Sequence, residues 1–487
     1  MQDPILFWNE VALEANKEDH TGSMEGEGQL GPTLSSRAIC LVHLAIHDAY
    51  FGVRGIPAIP MPAPKKLYLA SQPTFAVNTP ATRSAAVSGA AATILSTLYS
   101  RQRTTFELKI TELCATNGTD DTAFEFGRRV AKEILALRAD DDKVTPKDED
   151  HASSPGKFRH RKDPYNFTQP YVGAGYGKAK TFAVSTWLAL APPPTGGAYL
   201  TDLNEVAKKG GAPGANSTTR TADETMMGYF WAYDGPKKIG TPPRLYNQIL
   251  QTIAKKLGNT EEQNARVFAL VNSAMGDSGI HAWHYKYCYD FWRPVVGVRE
   301  ADPSTGPAAV VPAIAVVPTI KPPCDPYWRP LGAPRSNDMS PHHTPPFPAY
   351  PSGHATFGAA SFEAMRLFYR HQQALAFTDT QVDAIGFDFV SDEQDGRTFD
   401  GDGSVRTKHL RKFDSLAAAM YENSVSRVFL GVHWKFDGTT GSSIKKMLEA
   451  TDNIGGVPLG RAIAQNIFTT GMRQQAVPPT APTATCL

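Results

Sequence analysis

The residues best suited to chemistry lie in three basic clusters that are far apart in the chain. The first cluster runs from Lys286 to Pro294 and reads Lys-Tyr-Cys-Tyr-Asp-Phe-Trp-Arg-Pro. In a continuous helix, positions i and i+7 lie on one face, so Lys286 and Arg293 can point at one site. Pro294 predicts that this helix ends at Arg293. The surrounding aromatic residues favour burial, which gives both cations a need for an anionic partner; the alternative is a solvated basic edge.

The second cluster is Pro-Ser-Gly-His-Ala-Thr at residues 351–356. Ser352 is predicted to be a helix N-cap, with Gly353 opening the first turn. A helix N-terminus offers unpaired N–H groups and a partial positive charge to an anion, and glycine allows close approach of the backbone. His354 then projects from the first turn, where it can exchange protons with a ligand. Taken alone, the motif favours a plain serine cap beside an incidental histidine.

The third cluster contains Arg427, His433 and Asp437. If helical geometry continues through this segment, His433 and Asp437 are i, i+4 neighbours, and the carboxylate can hold the imidazole in one tautomer. Arg427 adds a fork of donors that suits a tetrahedral oxyanion. The alternative is a buried histidine beside a surface ion pair.

The three clusters are best explained together. Each supplies cationic or hydrogen-donating groups, and none supplies the carboxylate or thiolate set that Zn²⁺ or Ca²⁺ requires. Lys286, Arg293 and Arg427 would repel one another strongly in one pocket without a multiply charged anion. The sequence therefore predicts a site for phosphate or for an ion shaped like phosphate.

Helical periodicity dominates the segments that must position these clusters. No alternating pattern is long enough to predict a large sheet. The predicted fold is all-α, with two four-helix-type bundles and long Pro/Gly-rich loops: an N-terminal bundle over 1–215, a C-terminal bundle with the oxyanion site over 216–470, and a loose tail over 471–487. The predicted helical runs cover 38–50, 81–114, 121–137, a block that starts near 222, 244–257, 261–291, 353–371 and 415–430.

Composition excludes several classes of protein. The 487 residues include 49 Lys and Arg against 48 Asp and Glu, which gives no electrostatic reason to expect nucleic acid or an anionic membrane as a partner. The longest apolar stretch, 308–320, is broken by prolines and is shorter than the roughly 20 residues of a membrane-spanning helix. We expect a soluble protein without a visible signal peptide; extracellular and cytoplasmic locations both stay open, as does the oligomeric state. Five scattered cysteines predict neither a disulfide framework nor a cysteine zinc site.

Other polar clusters carry no clear role. His43 and His47 have a spacing that can bind metal, but no third ligand is evident. His281, His284 and the pair at 342–343 can shape the entrance of a site. The acidic segment 392–402 lacks the glycine position and terminal glutamate of a calcium loop and predicts a surface loop.

In order and spacing, the three clusters resemble the signature shared by vanadium-dependent haloperoxidases and type 2 phosphatidic-acid-phosphatase-like acid phosphatases. Further strings are similar to the vanadium chloroperoxidases of filamentous fungi, so that the resemblance covers nearly the whole chain. These strings are Ile-Leu-Phe-Trp-Asn at 5–9, His-Leu-Ala-Ile-His-Asp at 43–48, Trp-Ala-Tyr-Asp-Gly at 231–235, Phe-Pro-Ala-Tyr-Pro at 347–351 and Ile-Gly-Gly-Val-Pro-Leu-Gly at 454–460.

The resemblance implies vanadate as the cofactor, with phosphate able to occupy the same site without it. His433 Nε2 would be the vanadium ligand, oriented by Asp437. Lys286, Arg293 and Arg427 would neutralise the equatorial oxygens.

The resemblance also implies the groups around these ligands. Ser352 and the Gly353 N–H would add hydrogen bonds, and His354 would contact the apical oxygen as acid and base. Asp234 would pair with Arg427 and support it.

The implied activity is oxidation of chloride or bromide by hydrogen peroxide to hypohalous acid, which then halogenates organic acceptors. His354 would take the proton of the peroxide and Lys286 would polarise it. Trp283 and Phe347 fall where chloroperoxidases have aromatic residues beside the site, and algal bromoperoxidases have a more polar group in place of one of them. Phe347 therefore favours chloride oxidation, although the preferred halide and the organic acceptor stay open.

Two other functions stay open at this point. An acid phosphatase could use the same residues, with His433 as the nucleophile held by Asp437 and His354 protonating the leaving group. The long chain, predicted soluble, and the aromatic pair favour the peroxidase. A non-catalytic phosphate-binding protein is the third possibility, and the presence of both histidines argues against it.

Overall fold

The computed structural model describes residues 1–21, 28–56, 66–71, 73–141, 161–166, 169–214, 218–300, 325–472 and 481. Helices account for nearly all of its regular structure, which confirms the predicted all-α class. The N-terminal helices are α1 (Pro4–Asp19), α2 (Gly31–Arg54), α3 (Pro80–Leu98), α4 (Arg103–Asn117), α5 (Asp121–Leu137) and α6 (Gly196–Lys209). The later helices are α7 (Ala222–Phe230), α8 (Pro242–Leu257), α9 (Glu261–Tyr289), α10 (Pro294–Gly297), α11 (Gly353–Gln372), α12 (Leu416–Phe429), α13 (Ile444–Glu449) and α14 (Gly456–Thr470).

Small residues bring α3 and α5 into close contact. A Cβ atom on Gly89 would lie 2.1 Å from the Phe124 carbonyl oxygen, and one on Gly127 would lie 1.9 Å from the Ala86 carbonyl oxygen. Only glycine fits where two backbones approach so closely. The pair packs against α2, whose apolar residues are buried around most of its circumference, and α2 in turn packs against α9.

The helices that carry the basic clusters form the other part of the core. Helix α11 packs along α14 and α9, and α12 packs against α11. Gly460 of α14 lies so close to α11 that a Cβ atom there would be 2.3 Å from the Thr356 carbonyl oxygen. The C-terminal end of α9, the N-terminus of α11 and the C-terminal end of α12 are therefore held in one rigid assembly.

A small antiparallel sheet lies between α11 and α12. Strand β1 (Phe387–Val390) pairs with β2 (Leu410–Phe413) in the register Phe387 to Phe413. The two phenylalanine rings stack with centroids 5.0 Å apart. The sequence predicts that the segment between the strands is a surface loop. This was wrong in part, because Glu393 and Gln394 are buried.

Several predicted boundaries were wrong. The run 81–114 is divided into α3 and α4 by a 3-10 turn at Ser100–Gln102, and α1, α6 and α14 were not predicted. Helix α9 was predicted to end at Arg293, but it ends at Tyr289. The next residue, Asp290, leaves the helix with a left-handed backbone of φ 48°. The division into two domains near residue 215 stays a prediction, and most of the predicted tail, like residues 301–324 of the proline-rich loop, lies outside the described residues.

The scattered cysteines did not predict that Cys288 is disulfide-bonded. Cys40 and Cys114 are free thiols. Within the described residues, none of the helices combines the length and the apolar character that crossing a membrane requires.

Candidate active site

The three basic clusters meet at the ends of three helices. Lys286 lies in the last turn of α9, Arg427 lies in the last turn of α12, and the N-terminus of α11 brings residues 352–354 between them. Arg293 and His433 follow α9 and α12 in the chain. All of these side chains are buried, with Lys286, Arg293 and Arg427 at 0% exposure. The prediction that the clusters form one site is therefore consistent with their burial and their shared contacts.

Lys286 and Arg293 converge, but not on one helix face. The segment 347–349 presents three consecutive carbonyl oxygens to the two cations. Lys286 Nζ donates to the carbonyls of Pro348 at 2.8 Å and Ala349 at 3.0 Å, and Arg293 Nε donates to that of Phe347 at 2.8 Å. The i, i+7 geometry predicted from the sequence was wrong, because the chain leaves the helix before Arg293. The carbonyl segment brings both cations to the same place instead.

His433 is held in a single tautomer by its two partners. Arg293 Nη1 lies 2.9 Å from His433 Nε2, and a guanidinium can only donate, so Nε2 carries the lone pair. Nδ1 then carries the proton and donates to Asp437 Oδ2 at 2.7 Å. The segment is not helical: α12 ends at Phe429, and Asp437 closes a 3-10 turn at Lys435–Asp437. The predicted pair exists, although a turn rather than a helix forms it.

Arg427 is anchored on one side only. Its Nη2 donates to both carboxylate oxygens of Asp234 at 2.7 and 2.9 Å, as the resemblance implies. Its Nε and Nη1, like Nη2 of Arg293, are buried and have no hydrogen-bond partner in the described part of the chain. Buried cationic donors of this kind are costly unless a ligand accepts their hydrogen bonds.

The N-terminus of α11 forms as predicted. Ser352 is the N-cap, with its Oγ 3.4 Å from the Ala355 nitrogen, and its own N–H donates to the Asp437 carbonyl at 2.8 Å. Gly353 faces the site closely, because a Cβ atom there would lie 3.3 Å from the Trp283 ring. The N-terminal end of the helix dipole is thus directed toward the cations and favours an anion further.

His354 is held in the other tautomer from His433, with its proton on Nε2. Its Nε2 forms a short hydrogen bond to the Ala232 carbonyl, which can only accept, so Nε2 carries the proton and Nδ1 the lone pair. The His354 carbonyl accepts bonds from Tyr246 Oη at 3.0 Å and Asn423 Nδ2 at 2.9 Å. This backbone anchoring fixes the ring, and Nδ1 is the nitrogen available to accept a proton.

A cavity of about 620 Å³, a volume that includes space open to solvent, reaches part of this cluster, and Lys286, Arg293 and Ser352 are not among the described residues that line it. Asp234, Gly353, His354, Arg427 and His433 line it. Its apolar wall includes Trp283, Phe347 and Phe357. The rings of Trp283 and Phe347 lie 5.0 Å apart between centroids, which places the predicted aromatic pair beside the site.

The electrostatics favour a bound anion. Burial, and then the Arg293 charge, hold the pKa of Lys286 well below its usual value. Burial and the neighbouring cations also depress the pKa values of His354 and His433, so both rings are neutral. Burial raises the pKa values of Asp234 and Asp437. A multiply charged anion would relieve the repulsion among the cations, whereas two carboxylates compensate it only in part.

The donor set fits vanadate or phosphate. Lys286, Arg293 and Arg427 offer N–H donors, and His433 offers the lone pair on its Nε2 to an electrophilic centre. Among the described residues there is no group of three or more His, Cys, Asp or Glu side chains arranged to hold a metal cation. The fold and the site together define a mainly helical protein with a buried cluster of cationic donors and two histidines of opposite tautomer.

Comparison with known proteins identifies the family. Residues 2–171 match the vanadium chloroperoxidase N-terminal domain, and residues 266–448 match the second helical-bundle domain of the same proteins. The vanadium chloroperoxidase of Curvularia inaequalis is 35% identical to this chain, covering 96% of it and 90% of the relative. The chain belongs to the vanadium chloroperoxidase family.

Solved structures share the fold at lower identity. A bacterial vanadium-dependent iodoperoxidase matches with a TM-score of 0.63 at 16% identity, covering 94% of each chain. A holo-type bacterial vanadium-dependent chloroperoxidase matches with a TM-score of 0.56 at 14% identity, covering 94% of this chain and 98% of the other. These two similarities bear on the fold alone.

Sequence reasoning missed the backbone groups of the site. The carbonyls of Ala232, Pro348 and Ala349 hold His354 and Lys286, and no side-chain pattern marks a carbonyl. His343, mentioned only as a residue that can shape the entrance, lines the cavity.

Proposed function

We propose that the protein is a vanadate-dependent haloperoxidase that oxidises chloride or bromide with hydrogen peroxide. In the overall reaction, one halide, one hydrogen peroxide and one proton give hypohalous acid and water. The observation that carries the proposal is the set of buried guanidinium N–H groups without partners, on Arg293 and Arg427, beside a histidine whose Nε2 carries the lone pair. Membership of the vanadium chloroperoxidase family supports it.

The proposed vanadate-binding residues divide into three kinds. His433 Nε2 would bind the vanadium in place of its contact with Arg293, and Asp437 keeps the ring deprotonated at that nitrogen. Lys286, Arg293 and Arg427 balance the negative charge of the oxygens. Ser352 and the Gly353 N–H complete the hydrogen bonding at the end of α11.

Bound vanadate would supply a Lewis-acidic vanadium(V) centre that activates hydrogen peroxide without a change in oxidation state. His354 accepts the proton of hydrogen peroxide through Nδ1, because Ala232 occupies its other nitrogen. The depressed pKa of His354 keeps the ring neutral before that transfer. Lys286, fixed by two carbonyls, directs its remaining N–H toward the reacting oxygen and polarises it.

The cavity suits small substrates. The wall formed by Trp283 and Phe347 excludes water near the reacting atoms, and chloride is the halide that these aromatic residues favour by family resemblance. Hypohalous acid released from the site can halogenate electron-rich organic acceptors. We place the site in the C-terminal bundle of the predicted division, residues 216–470.

The test is halogenation of monochlorodimedone with hydrogen peroxide and either halide, using protein stripped of vanadate and phosphate. Turnover is expected only after orthovanadate is added, and His433→Ala is expected to abolish it. The surface variant His371→Ala, whose side chain is exposed, should behave as wild type. Hydrolysis of p-nitrophenyl phosphate without any halogenation would assign the protein to the phosphatases instead.

A further inference from the structure

A histidine that the proposed mechanism does not use lies in the wall of the cavity. His343 lines the same space as Phe347, His354 and Arg427 and is 7% exposed. Its Nδ1 is buried and makes no hydrogen bond to any residue that the structure describes. A buried polar atom left in this state indicates a missing partner.

The backbone around His343 is rigidly placed. His343 and Ala333 exchange two backbone hydrogen bonds, of 3.0 and 2.8 Å. The next residue, Thr344, donates its N–H to Asp163 Oδ2 at 2.9 Å. The ring therefore occupies its position in the wall because the chain on both sides is anchored.

The His343 ring is a neutral hydrogen-bond donor. Burial, and then the Arg335 guanidinium, lower the pKa of His343 to about 3, although the proximity of the ring to the Ala333 backbone opposes this lowering. A neutral imidazole carries one N–H, which can bind an anion without adding a further charge to a cavity that Arg427 already lines. The residues that follow His343 in this wall, Pro345, Pro346 and Phe347, offer no side-chain donor.

We propose that His343 is a halide-binding residue, which donates an N–H to the chloride or bromide ion before the ion is oxidised. This inference rests on the proposed haloperoxidase function. A halide that enters the cavity loses part of its hydration shell, and a fixed donor compensates for that loss. The aromatic wall positions the ion, and His343 supplies the polar contact that the wall lacks.

Steady-state kinetics of the vanadate-loaded protein test the proposal. His343→Phe removes the donor and keeps an aromatic ring, and we expect the KM for both halides to rise about tenfold, as for loss of a hydrogen bond to a charged group. We expect kcat to stay within about twofold of wild type and vanadate affinity to be unchanged. His343→Gln keeps an N–H donor and should restore most of the halide affinity.

The adjacent His342 provides a matched control. Its Nδ1 is 2.9 Å from the Leu331 carbonyl oxygen and its Nε2 is 3.5 Å from Asp400, outside the cavity lining. His342→Phe should leave the KM for both halides unchanged. An unchanged halide KM in His343→Phe, or a loss of vanadate affinity that parallels the rise in KM, would overturn the proposal.

Bromide binding separates this inference from the proposed function. Crystals soaked in bromide should show anomalous density in hydrogen-bond contact with the His343 ring, and crystals of His343→Phe should lack it. Absence of that density in the wild type would overturn the role of His343 even if the enzyme turns over halide. Failure of wild-type halogenation with both halides would overturn the proposed function instead, while bromide density at His343 would still report a binding site.

Discussion

Two histidines in one cavity are prepared for different chemistry by the groups that bind them. Arg293 donates to His433 Nε2, whereas the Ala232 carbonyl accepts from His354 Nε2. His433 therefore presents a lone pair on Nε2 and His354 presents one on Nδ1. The first arrangement suits a metal ligand and the second suits a proton acceptor, which is the division of roles that the proposed haloperoxidase needs.

Asp437 fixes the tautomer of His433, so its replacement should weaken vanadate binding. Asp437→Asn keeps the size of the side chain but removes the charge that holds the Nδ1 proton. We expect vanadate affinity to fall by about 10- to 100-fold, as for other residues that orient a metal-bound histidine. Equilibrium titration with orthovanadate measures this. Asp379→Asn, an exposed carboxylate paired with Arg370, is the control, and an unchanged affinity in Asp437→Asn would contradict the role of Asp437.

Side-chain pairs of the site could be predicted at this scale, and backbone contacts could not. The spacing of His433 and Asp437 indicated their contact, and the resemblance indicated that of Arg427 with Asp234. Nothing in the sequence indicates that Lys286 donates to two carbonyl oxygens, because every residue carries a carbonyl and only the folded path of the chain selects which one is near.

At the scale of elements, the turn 232–234 contacts both His354, the proposed proton acceptor, and Arg427, one of the three buried cations. Ala232 binds His354, Asp234 binds Arg427, and Tyr233 between them has φ 43°, a left-handed conformation that is unfavourable for a large side chain. Glu393 holds this turn, since its Oε1 accepts the Tyr233 N–H at 3.2 Å. Ser336 and Arg406 bind the other carboxylate oxygen.

Loss of the Glu393 carboxylate should disturb the site from a distance. Glu393→Gln weakens the pairing with Arg406 and places an amide among donors, so the turn loses its anchor. We expect kcat to fall about tenfold, with a shift in the pH–rate profile through His354. Halogenation rates per folded molecule, measured well below the melting temperature, test this. Glu449→Gln on the surface is the control, and a wild-type pH profile in Glu393→Gln would contradict the positioning role.

The elements themselves were predictable where periodicity was strong. The runs at 121–137, 353–371 and 415–430 correspond closely to α5, α11 and α12. The end of α9 was not predictable, because the signal at Pro294 suggested a later stop and Asp290 leaves the helix first with a left-handed backbone. The sheet between α11 and α12 was missed because each strand has only four residues.

At the scale of the whole molecule, buried neutral histidines make stability depend on pH. Their pKa values lie below the value of about 6.5 expected in the unfolded chain, so they stabilise the fold above pH 6.5 and lose that contribution as the pH falls toward the folded value. Burial is the main cause in each case. The histidines are His20 and His281, with pKa values of about 4, and His43 and His343, with pKa values of about 3.

The unfolding free energy of the vanadate-free protein should therefore decrease between pH 6.5 and pH 4.5. Each histidine contributes up to about 1.4 kcal/mol per pH unit. Asp202 and Asp277, with pKa values raised to about 6 by burial, and Asp437, with a pKa raised to about 8, contribute with the opposite sign and offset part of this. Urea unfolding at several pH values measures the slope, which His43→Gln should make shallower. A urea midpoint that rises as the pH falls would contradict this prediction and show that the aspartates outweigh the histidines.

The balance of charge over the chain conceals the character of the site. The formal net charge is only +1, yet the core encloses three neighbouring cations, and two carboxylates compensate their charge only in part. Helices from distant parts of the chain hold those charges together. The charges repel one another, and a bound oxyanion would relieve that repulsion.

The most direct test of this account is calorimetric titration of phosphate-free protein with orthovanadate, comparing the wild type with His433→Ala. We predict one vanadate per chain for the wild type, competition by phosphate, and an affinity at least 100-fold weaker in His433→Ala because the vanadium ligand is lost. His371→Ala should bind as the wild type does. Wild-type protein that binds no vanadate, or His433→Ala that binds it equally well, would contradict the assignment of this cavity as a vanadate site.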